Sequence, residues 1–147
     1  MSQSLPAMIS EALNAGDVSA IRQLFTAHPD QLSVLTFFGG QTWLGYAAQK
    51  GRLAVIETLA ALGADINLPG REDVRPIVIA ARFGHADVIR WLLAKGAVLD
   101  TSASVRNPLF GAITGRSPEI VRMLLAAGID ASVRYWDTWE NMDALAF

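Results

Sequence analysis

Side chains with catalytic or metal-binding chemistry are few and scattered in this sequence. The two histidines, His28 and His85, have no partner at the spacing of a metal site or a catalytic dyad, so we interpret both as structural. Cysteine is absent, which excludes thiolate nucleophiles, thiolate metal sites and disulfides. The glycines form neither a phosphate-binding loop nor the Gly-x-Ser-x-Gly turn of hydrolases. The sequence therefore predicts no metal and no cofactor.

The acidic residues also lack an arrangement suited to acid–base catalysis. Glu72 and Asp73 are adjacent in a predicted loop, where they do not make a separate acid and base. Asp137 precedes Glu140 by three residues, which is the spacing of a helix capping box. We therefore expect a helix to begin at Asp137 and Met142 to face the core. We predict that the protein is not an enzyme.

The composition is that of one packed domain without an affinity for polyanions. Of the 147 residues, 52% are hydrophobic, which is too many for a disordered chain. The net charge of -2 gives no overall attraction to nucleic acid or to an anionic membrane. Apolar stretches such as Pro76–Ala81 are far shorter than the roughly 18 residues of a membrane span, and the first residues lack a secretory signal pattern. We expect a cytoplasmic protein.

The chain contains an internal repeat. The stretch Ala47–Gly51 recurs as Ala80–Gly84, and a third copy begins at Ala112. Within each copy the apolar residues that follow have the i, i+3, i+4 spacing of an amphipathic helix, as in Val88, Ile89 and Leu92. Each unit is therefore predicted to contain two short helices.

Glycine residues mark where these helices end. Gly51 and Gly84 lie between the two halves of a unit, and Gly63, Gly96 and Gly128 follow the second halves. Glycine adopts the left-handed conformation at little steric cost, which allows the chain to reverse after a helix. The pattern predicts a helical hairpin with left-handed glycines at both turns.

The openings and ends of these units resemble those of the ankyrin repeat. That family opens with Thr-Pro-Leu-His-x-Ala, and the matching stretches here are Thr42–Ala47, Arg75–Ala80 and Asn107–Ala112. Gly63–Asn67 is close to the family's closing Gly-Ala-Asp-Val-Asn. The resemblance covers three full units, over residues 37–134.

The resemblance implies an all-α fold, an ankyrin-repeat solenoid of stacked helix-turn-helix units with degenerate terminal caps. Such caps are expected because each end of a stack otherwise exposes an apolar face. We expect one domain over residues 1–147. Its parts are an N-terminal cap hairpin over 1–36, repeats over 37–69, 70–101 and 102–134, and a C-terminal cap over 135–147.

Two departures from the family pattern affect the expected local structure. Arg116 stands where the other units have Gly51 and Gly84, so we expect that turn to be remodelled. In the first full repeat, Trp43 replaces the usual proline and Gly45 the usual histidine. We expect Trp43 to contact a partner instead of stabilising its own helix.

In this family the loop tips and the inner faces of the first helices line a concave binding groove. Alignment assigns the following residues to that groove and to the end of the chain beside it: Phe37, Phe38, Gln41, Trp43, Tyr46, Gln49, Lys50, Arg71, Glu72, Val74, Arg82, Phe83, Arg106, Thr114, Arg116, Tyr135, Trp136 and Trp139. For Trp139 closure of the core is an alternative, and for Phe37 and Phe38 core and contact roles are equally open.

Arginine and aromatic side chains dominate this predicted groove, as they do the energetically important positions of protein interfaces. Ten of the 12 basic residues are arginine. Five of them fall on or near the groove: Arg71, Arg75, Arg82, Arg106 and Arg116. A locally basic groove predicts an acidic surface on the partner.

The sequence therefore predicts a non-catalytic module for protein–protein interaction that is monomeric when free. The stretch His28–Leu32, followed by Phe37–Ala48, also resembles small bacterial ankyrin proteins, some of which are immunity proteins that neutralise a cognate toxin. The partner would then be a toxin domain. The alternatives are a general adaptor or scaffold, a secreted ankyrin effector and a regulatory subunit of an enzyme.

Overall fold

The computed structural model describes residues 3–36, 39–135 and 142–143, and over these residues it consists of helical pairs. Short 3-10 segments over Pro29–Ser33, Arg71–Asp73 and Ser104–Arg106 lie in the connections between pairs. The helices are α1 Leu5–Ala15, α2 Val18–Ala27, α3 Trp43–Lys50, α4 Leu53–Ala61, α5 Pro76–Arg82, α6 Ala86–Ala94, α7 Pro108–Thr114 and α8 Pro118–Ala126. The predicted repeat of two short helices is confirmed.

The helices form two layers. The first helices of the pairs pack on one another in the order α3, α5, α7, and α1 also contacts α3. Among the second helices, α2 packs on α4 and α6 on α8. One apolar core runs between the layers from Ile9 to Ile129, so neighbouring pairs share their buried side chains. The all-α, stacked architecture expected from the repeat is present.

The residues at the helix starts explain why the helices begin where they do. Thr42 Oγ1 accepts a hydrogen bond from the backbone N–H of Gly45 at 3.0 Å, and Asn107 Oδ1 accepts one from Leu109 at 2.9 Å. These side chains satisfy backbone donors that a helix leaves unpaired at its start. Pro76 and Pro108 occupy the first turns of α5 and α7, where their missing N–H costs nothing.

The predicted left-handed turns are confirmed. Gly51 and Gly84, between the helices of their pairs, have φ of 68° and 77°. Gly63, Gly96 and Gly128 also have positive φ, from 80° to 106°. The spacing of glycine in the sequence therefore predicted the turns within the helical pairs and the turns that follow their second helices.

The expectation of a remodelled turn at Arg116 is wrong. Arg116 itself adopts the left-handed conformation, with φ 56°. Its N–H bonds to the carbonyl of Ile113, as that of Gly84 bonds to Ala81 one unit earlier. An arginine thus takes the place and the geometry of the glycine, at the steric cost that a Cβ meets in this conformation.

The C-terminal end differs from the expected helix. Arg134–Tyr135 forms a short strand, β1, that pairs antiparallel with β2, Met142–Asp143. Met142 therefore lies in a strand, and the expectation that a helix would carry it is wrong. Two antiparallel strands are joined by backbone hydrogen bonds between them, so they do not require the periodic apolar pattern of a helix. The predicted helix start at Asp137 and Glu140 lies outside the described residues. No helix in the described part of the chain is long and apolar enough to cross a membrane.

Candidate protein-binding groove

Three loops lie side by side along the first-helix layer: the first is residues 39–42 before α3, the second 70–75 before α5 and the third 102–107 before α7. Backbone contacts fix the first loop to the second. The N–H of Arg71 donates to the carbonyl oxygen of Gly40 at 2.9 Å. Gly70 approaches so closely that a Cβ there would lie 2.5 Å from the same oxygen. Glycine is needed at position 70 because a side chain would force the two loops apart. We use the name groove side for these loops with α3, α5 and α7, and outer side for α2, α4, α6 and α8.

The second loop is held by an arginine from the third. Arg106 Nε donates to the carbonyl oxygen of Glu72 at 3.3 Å, and its Nη2 lies 3.3 Å from Asp73 Oδ2. Its Nη1 also donates to Ser102 Oγ at 3.4 Å. Glu72 and Asp73 are both left-handed, with φ of 59° and 58°, a conformation that costs residues with a Cβ about 1 kcal/mol or more. Arg106 therefore stabilises a strained loop.

A cleft of about 260 Å³ opens between the first two loops and α5. We call it the groove cleft. Its lining combines glycine backbone, apolar side chains and two arginines: Gly39, Gly40, Gln41, Gly70, Arg71, Glu72, Val74, Ile79 and Arg82. Five of the residues predicted to bind a partner are thus brought together in one concavity.

Arg71 and Arg82 are exposed, and in the part of the chain that the structure describes neither has an ion-pair partner. The same holds for Arg116. Arg75, in contrast, forms a 2.8 Å salt bridge with Asp100, in which both side chains are only about a fifth exposed. The expected basic surface is therefore smaller than the count of arginines indicated, because Arg75 and Arg106 are neutralised within the molecule.

Asp100 is held ionised by its surroundings. The backbone N–H of Ser102 donates to Asp100 Oδ1 at 2.9 Å. Hydrogen bonds from Ser102, and next the guanidinium of Arg75, lower the pKa of Asp100 from an ordinary 3.8 to about 2. These bonds favour the charged carboxylate over its protonated form. The pair fixes the start of α5 to the loop before α7.

Trp43 and Tyr46 are buried, which corrects the expectation that they offer contact surface. Trp43 is 2% exposed and Tyr46 7% exposed. Their rings meet edge to face with centroids 6.0 Å apart. Trp43 Nε1 donates to Gln31 Oε1 at 3.5 Å, and the Tyr46 hydroxyl accepts from Asn14 Nδ2 at 3.3 Å. The N-terminal helical pair, α1 and α2, covers α3, so the aromatic residues of α3 are part of the core.

The remaining groove residues of the first full repeat have mixed environments. Gln41 lines the cleft but is 8% exposed, and its Nε2 donates to Gln49 Oε1 at 2.5 Å. The backbone carbonyl of Gln49 accepts from His85 Nε2 at 2.8 Å. His85 thus bridges two neighbouring repeats, in agreement with the structural role expected for it. Lys50 is exposed, with its ammonium 5.5 Å from the centroid of the Tyr46 ring.

Phe83 is the most exposed large apolar side chain in the described part of the chain, at 51%. It directly follows Arg82, the last residue of α5. Thr114, at the corresponding end of α7, is exposed as well. Val74 is half-buried in the lining of the cleft.

Phe37, Phe38, Trp136 and Trp139 lie outside the described residues, and of Tyr135 only its place in β1 is described.

Four residues that line the cleft were not predicted from the sequence. Gly39, Gly40 and Gly70 contribute backbone, and Ile79 contributes an apolar wall that is 7% exposed. The two adjacent glycines were the available signal, because consecutive glycines often provide a close approach of backbone to another chain. Nothing in the sequence distinguished Ile79 from its buried neighbours in α5.

Known proteins share this repeat. A family model described as "Ankyrin repeats (many copies)" matches residues 44–93. The Notch-regulated ankyrin repeat-containing protein A of Danio rerio is 31% identical over 90 residues, which are 60% of this chain and 80% of that protein.

Two longer relatives match through part of their length. Zygote-specific protein 3 of Chlamydomonas reinhardtii is 35% identical over 85 residues, which are 58% of this chain and 23% of that protein. An ankyrin repeat and KH domain-containing protein of Caenorhabditis briggsae is 31% identical over 137 residues, 93% of this chain and 5% of that protein. The chain thus spans less than a quarter of either relative.

Repeats of this family bind other proteins. The repeated helical pairs, the family match at residues 44–93 and the similarity over four fifths of the Danio rerio protein lead to one conclusion. This chain belongs to the ankyrin-repeat family.

Proposed function

We propose that this protein binds an acidic region of another protein through its groove side and catalyses no reaction. The observation that carries the proposal is the groove cleft, where Arg71 and Arg82 line one concavity and neither forms an ion pair in the described part of the chain. Glu72 is the one acidic residue of that lining, so two positive charges stand against one negative charge. This excess of positive charge attracts an anionic surface and repels a basic one.

Phe83 supports the same assignment. Its ring is half exposed directly beside Arg82. An aromatic side chain next to an arginine is typical of the few residues that dominate binding energy at an interface. The fixed loops add to this, because a surface that is already ordered loses little conformational entropy on binding.

Site-specific photo-crosslinking tests the proposal. A photoreactive phenylalanine analogue replaces Phe83 in one variant and Leu125 in a matched variant, since Leu125 is also an exposed apolar residue, 38% exposed, but lies on the outer side. We expect cells of the native source to yield a defined crosslinked protein from position 83 and none from position 125. Equal yields of that protein from the two positions would reject the groove as the binding surface.

Charge reversal then measures the contribution of the arginines. Arg71→Glu combined with Arg82→Glu should weaken binding of the crosslinked partner by about tenfold or more, and added salt should weaken the parent complex. Arg90→Glu combined with Arg122→Glu is the control, because both residues are exposed on the outer side. Arg106 is unsuitable as a test position because it holds the second loop.

The narrower role of an immunity protein for a bacterial toxin is a proposal without a specific observation in its favour, since the relatives described above are eukaryotic proteins. It predicts one tightly bound partner in a one-to-one complex. An adaptor or scaffold predicts several weaker partners. The number and affinity of the proteins captured at position 83 separate these roles. A monomeric free state is likewise part of the proposal, and sedimentation of the purified chain tests it.

A further inference from the structure

We propose that the groove cleft receives one carboxylate side chain of the partner, bound between Arg71 and Arg82. This inference rests on the proposed function and narrows it from an acidic surface to one defined contact.

The chemistry of the lining favours a carboxylate. A guanidinium presents two parallel N–H donors that match the two oxygens of a carboxylate. Arg71 reaches the cleft from the second loop and Arg82 from the end of α5. Val74 and Ile79 form the apolar part of the same lining, which reduces the competition from water for these donors.

The size of the cleft favours a side chain over a small-molecule ligand. Drug-sized ligands occupy pockets of about 300–1,000 Å³ that bury most of their surface. The groove cleft, at about 260 Å³, lies below this range. An acidic side chain presented by a loop or an extended segment matches such a volume.

The cleft is fixed before any partner arrives. The Arg71 N–H is bonded to Gly40, and Arg106 holds Glu72 and Asp73 in their left-handed conformation. Strained residues persist where surrounding contacts hold them, and they cluster at binding sites. The loop that carries Arg71 is thus held in position by both of its neighbours.

Glu72 determines which anions are accepted. Glu72 lines the same cleft, and its carboxylate has no ion pair among the described residues. A second negative charge next to the bound carboxylate would be repelled by Glu72. The preferred partner segment therefore has a single acidic residue with neutral or basic neighbours, in contrast to a nucleic-acid backbone, where each phosphate has charged neighbours.

The test uses blocked peptides as probes. The 15N-labelled protein is titrated with acetyl-Gly-Glu-Gly-amide and with acetyl-Gly-Gln-Gly-amide, and the backbone amide signals of Gly39, Gly40 and Gly70 are followed by NMR. We expect the Glu peptide to shift these signals in a saturable manner and to bind about tenfold more tightly than the Gln peptide. Such a ratio corresponds to about 1.4 kcal/mol for the charge.

Variants assign the effect to the two arginines. In Arg71→Gln combined with Arg82→Gln the difference between the peptides should vanish, whereas Arg122→Gln, on the outer side, should preserve it. Glu72→Gln should improve the binding of acetyl-Gly-Glu-Glu-Gly-amide more than that of the peptide with one Glu. All these positions are exposed, so the fold should be retained, and unchanged spectra away from the cleft verify this.

Three results would overturn the inference: equal binding of the Glu and Gln peptides, an unchanged difference in the double variant, or inorganic phosphate binding at these amides as tightly as the Glu peptide. The last result would indicate a general anion site. If the photo-crosslink at position 83 captures a partner while the peptides fail, the carboxylate receptor is rejected and the proposed function stands. If both fail, the groove side is not the binding surface.

Discussion

The groove side and the outer side of this molecule both carry arginine, yet they hold it in different ways. On the outer side Arg90 faces Glu119 at 3.8 Å, and both side chains are more than 60% exposed. Such solvated pairs contribute about 0–1 kcal/mol and leave the side chains mobile. On the groove side Arg75 and Arg106 are tied to neighbouring loops, and Arg71 and Arg82 face one cleft. Whether an arginine can bind a partner thus depends on its contacts within the molecule, and a count of arginines does not show this.

Truncating a side chain in the core that both sides share should destabilise the groove side and the outer side together. Leu92 on α6 is completely buried in the shared core, so Leu92→Ala should destabilise the whole chain by about 2–5 kcal/mol. Leu125→Ala on the outer side is the control, with an expected loss below about 1 kcal/mol because Leu125 is 38% exposed. Urea unfolding followed by circular dichroism measures both. A loss at position 92 that equals the loss at position 125 would contradict a shared core.

The turn at Gly84 joins a groove-side helix to an outer-side helix, so straining it should affect both sides. Gly84→Val places a β-branched residue at φ 77° and should cost about 1–2 kcal/mol or more. The added Cβ would also lie 3.2 Å from Ser117 Oγ. Val34→Ala, at an exposed loop position, serves as the control for thermal unfolding. An unchanged midpoint in Gly84→Val would show that the turn relaxes without cost.

Acid should selectively weaken the groove side through Asp100. Its pKa in the folded protein, about 2, lies below the 3.8 of an ordinary aspartate, so its contribution is complete above about pH 4 and is lost as the pH falls towards 2. Allowing for partial exposure, we expect on the order of 1 kcal/mol. Urea unfolding of the parent and of Asp100→Asn at pH 6, 4, 3 and 2.5 should show the difference between them shrinking with acid. A constant difference over this range would contradict the prediction.

Loss of the Arg106 contacts should loosen the second loop while leaving the outer side unchanged. Arg106→Gln removes the hydrogen bond to the Glu72 carbonyl and the ion pair with Asp73, at a global cost of about 0.5–1 kcal/mol because the pair is partly solvated. Hydrogen exchange at residues 71–74 should accelerate, and exchange in α6 should not. Arg90→Gln is the matched variant on the outer side. Unchanged exchange in the loop would show that Arg106 does not hold it.

The smallest effect is expected at the turn where arginine replaces glycine. Arg116→Gly relieves the left-handed strain at φ 56°, but it also increases the freedom of the unfolded chain. The two effects oppose one another, and we expect a net gain of about 0.5 kcal/mol. Thermal unfolding of Arg116→Gly beside Arg116→Ala measures it, since alanine keeps the strain. Equal stability of the two variants would argue against strain at this position.

The parts of the fold that could be predicted were those marked by a particular residue type recurring at a fixed spacing. Gly51 and Gly84 identified the turns because few other residues tolerate their conformation. Arg116 was misjudged for the same reason, since sequence shows the preference of a residue and not the conformation that its neighbours impose. Met142 was misjudged because the local capping pattern at Asp137 and Glu140 predicted a helix through it, whereas the pairing of β1 with β2 depends on residues farther apart.

The exposure of candidate site residues was predicted correctly where it follows from position in the repeat, as for Arg71, Arg82 and Phe83. The prediction of exposure failed for Trp43, because its burial depends on the packing of the N-terminal helical pair against α3. The pairing of Arg106 with Asp73 joins different loops, and no spacing rule connects such residues. Alignment places a side chain on a face, but only tertiary contacts show whether it is free to bind.

The bond between the Arg71 N–H and the Gly40 carbonyl involves main-chain atoms alone. Its geometry is therefore indifferent to which side chain position 71 carries, provided that the residue is not proline and that Gly70 remains. At position 71 the side chain can contact a ligand while the backbone alone holds the two loops together. A combinatorial library that varies only positions 71 and 82 would change the ligand preference of one unaltered scaffold.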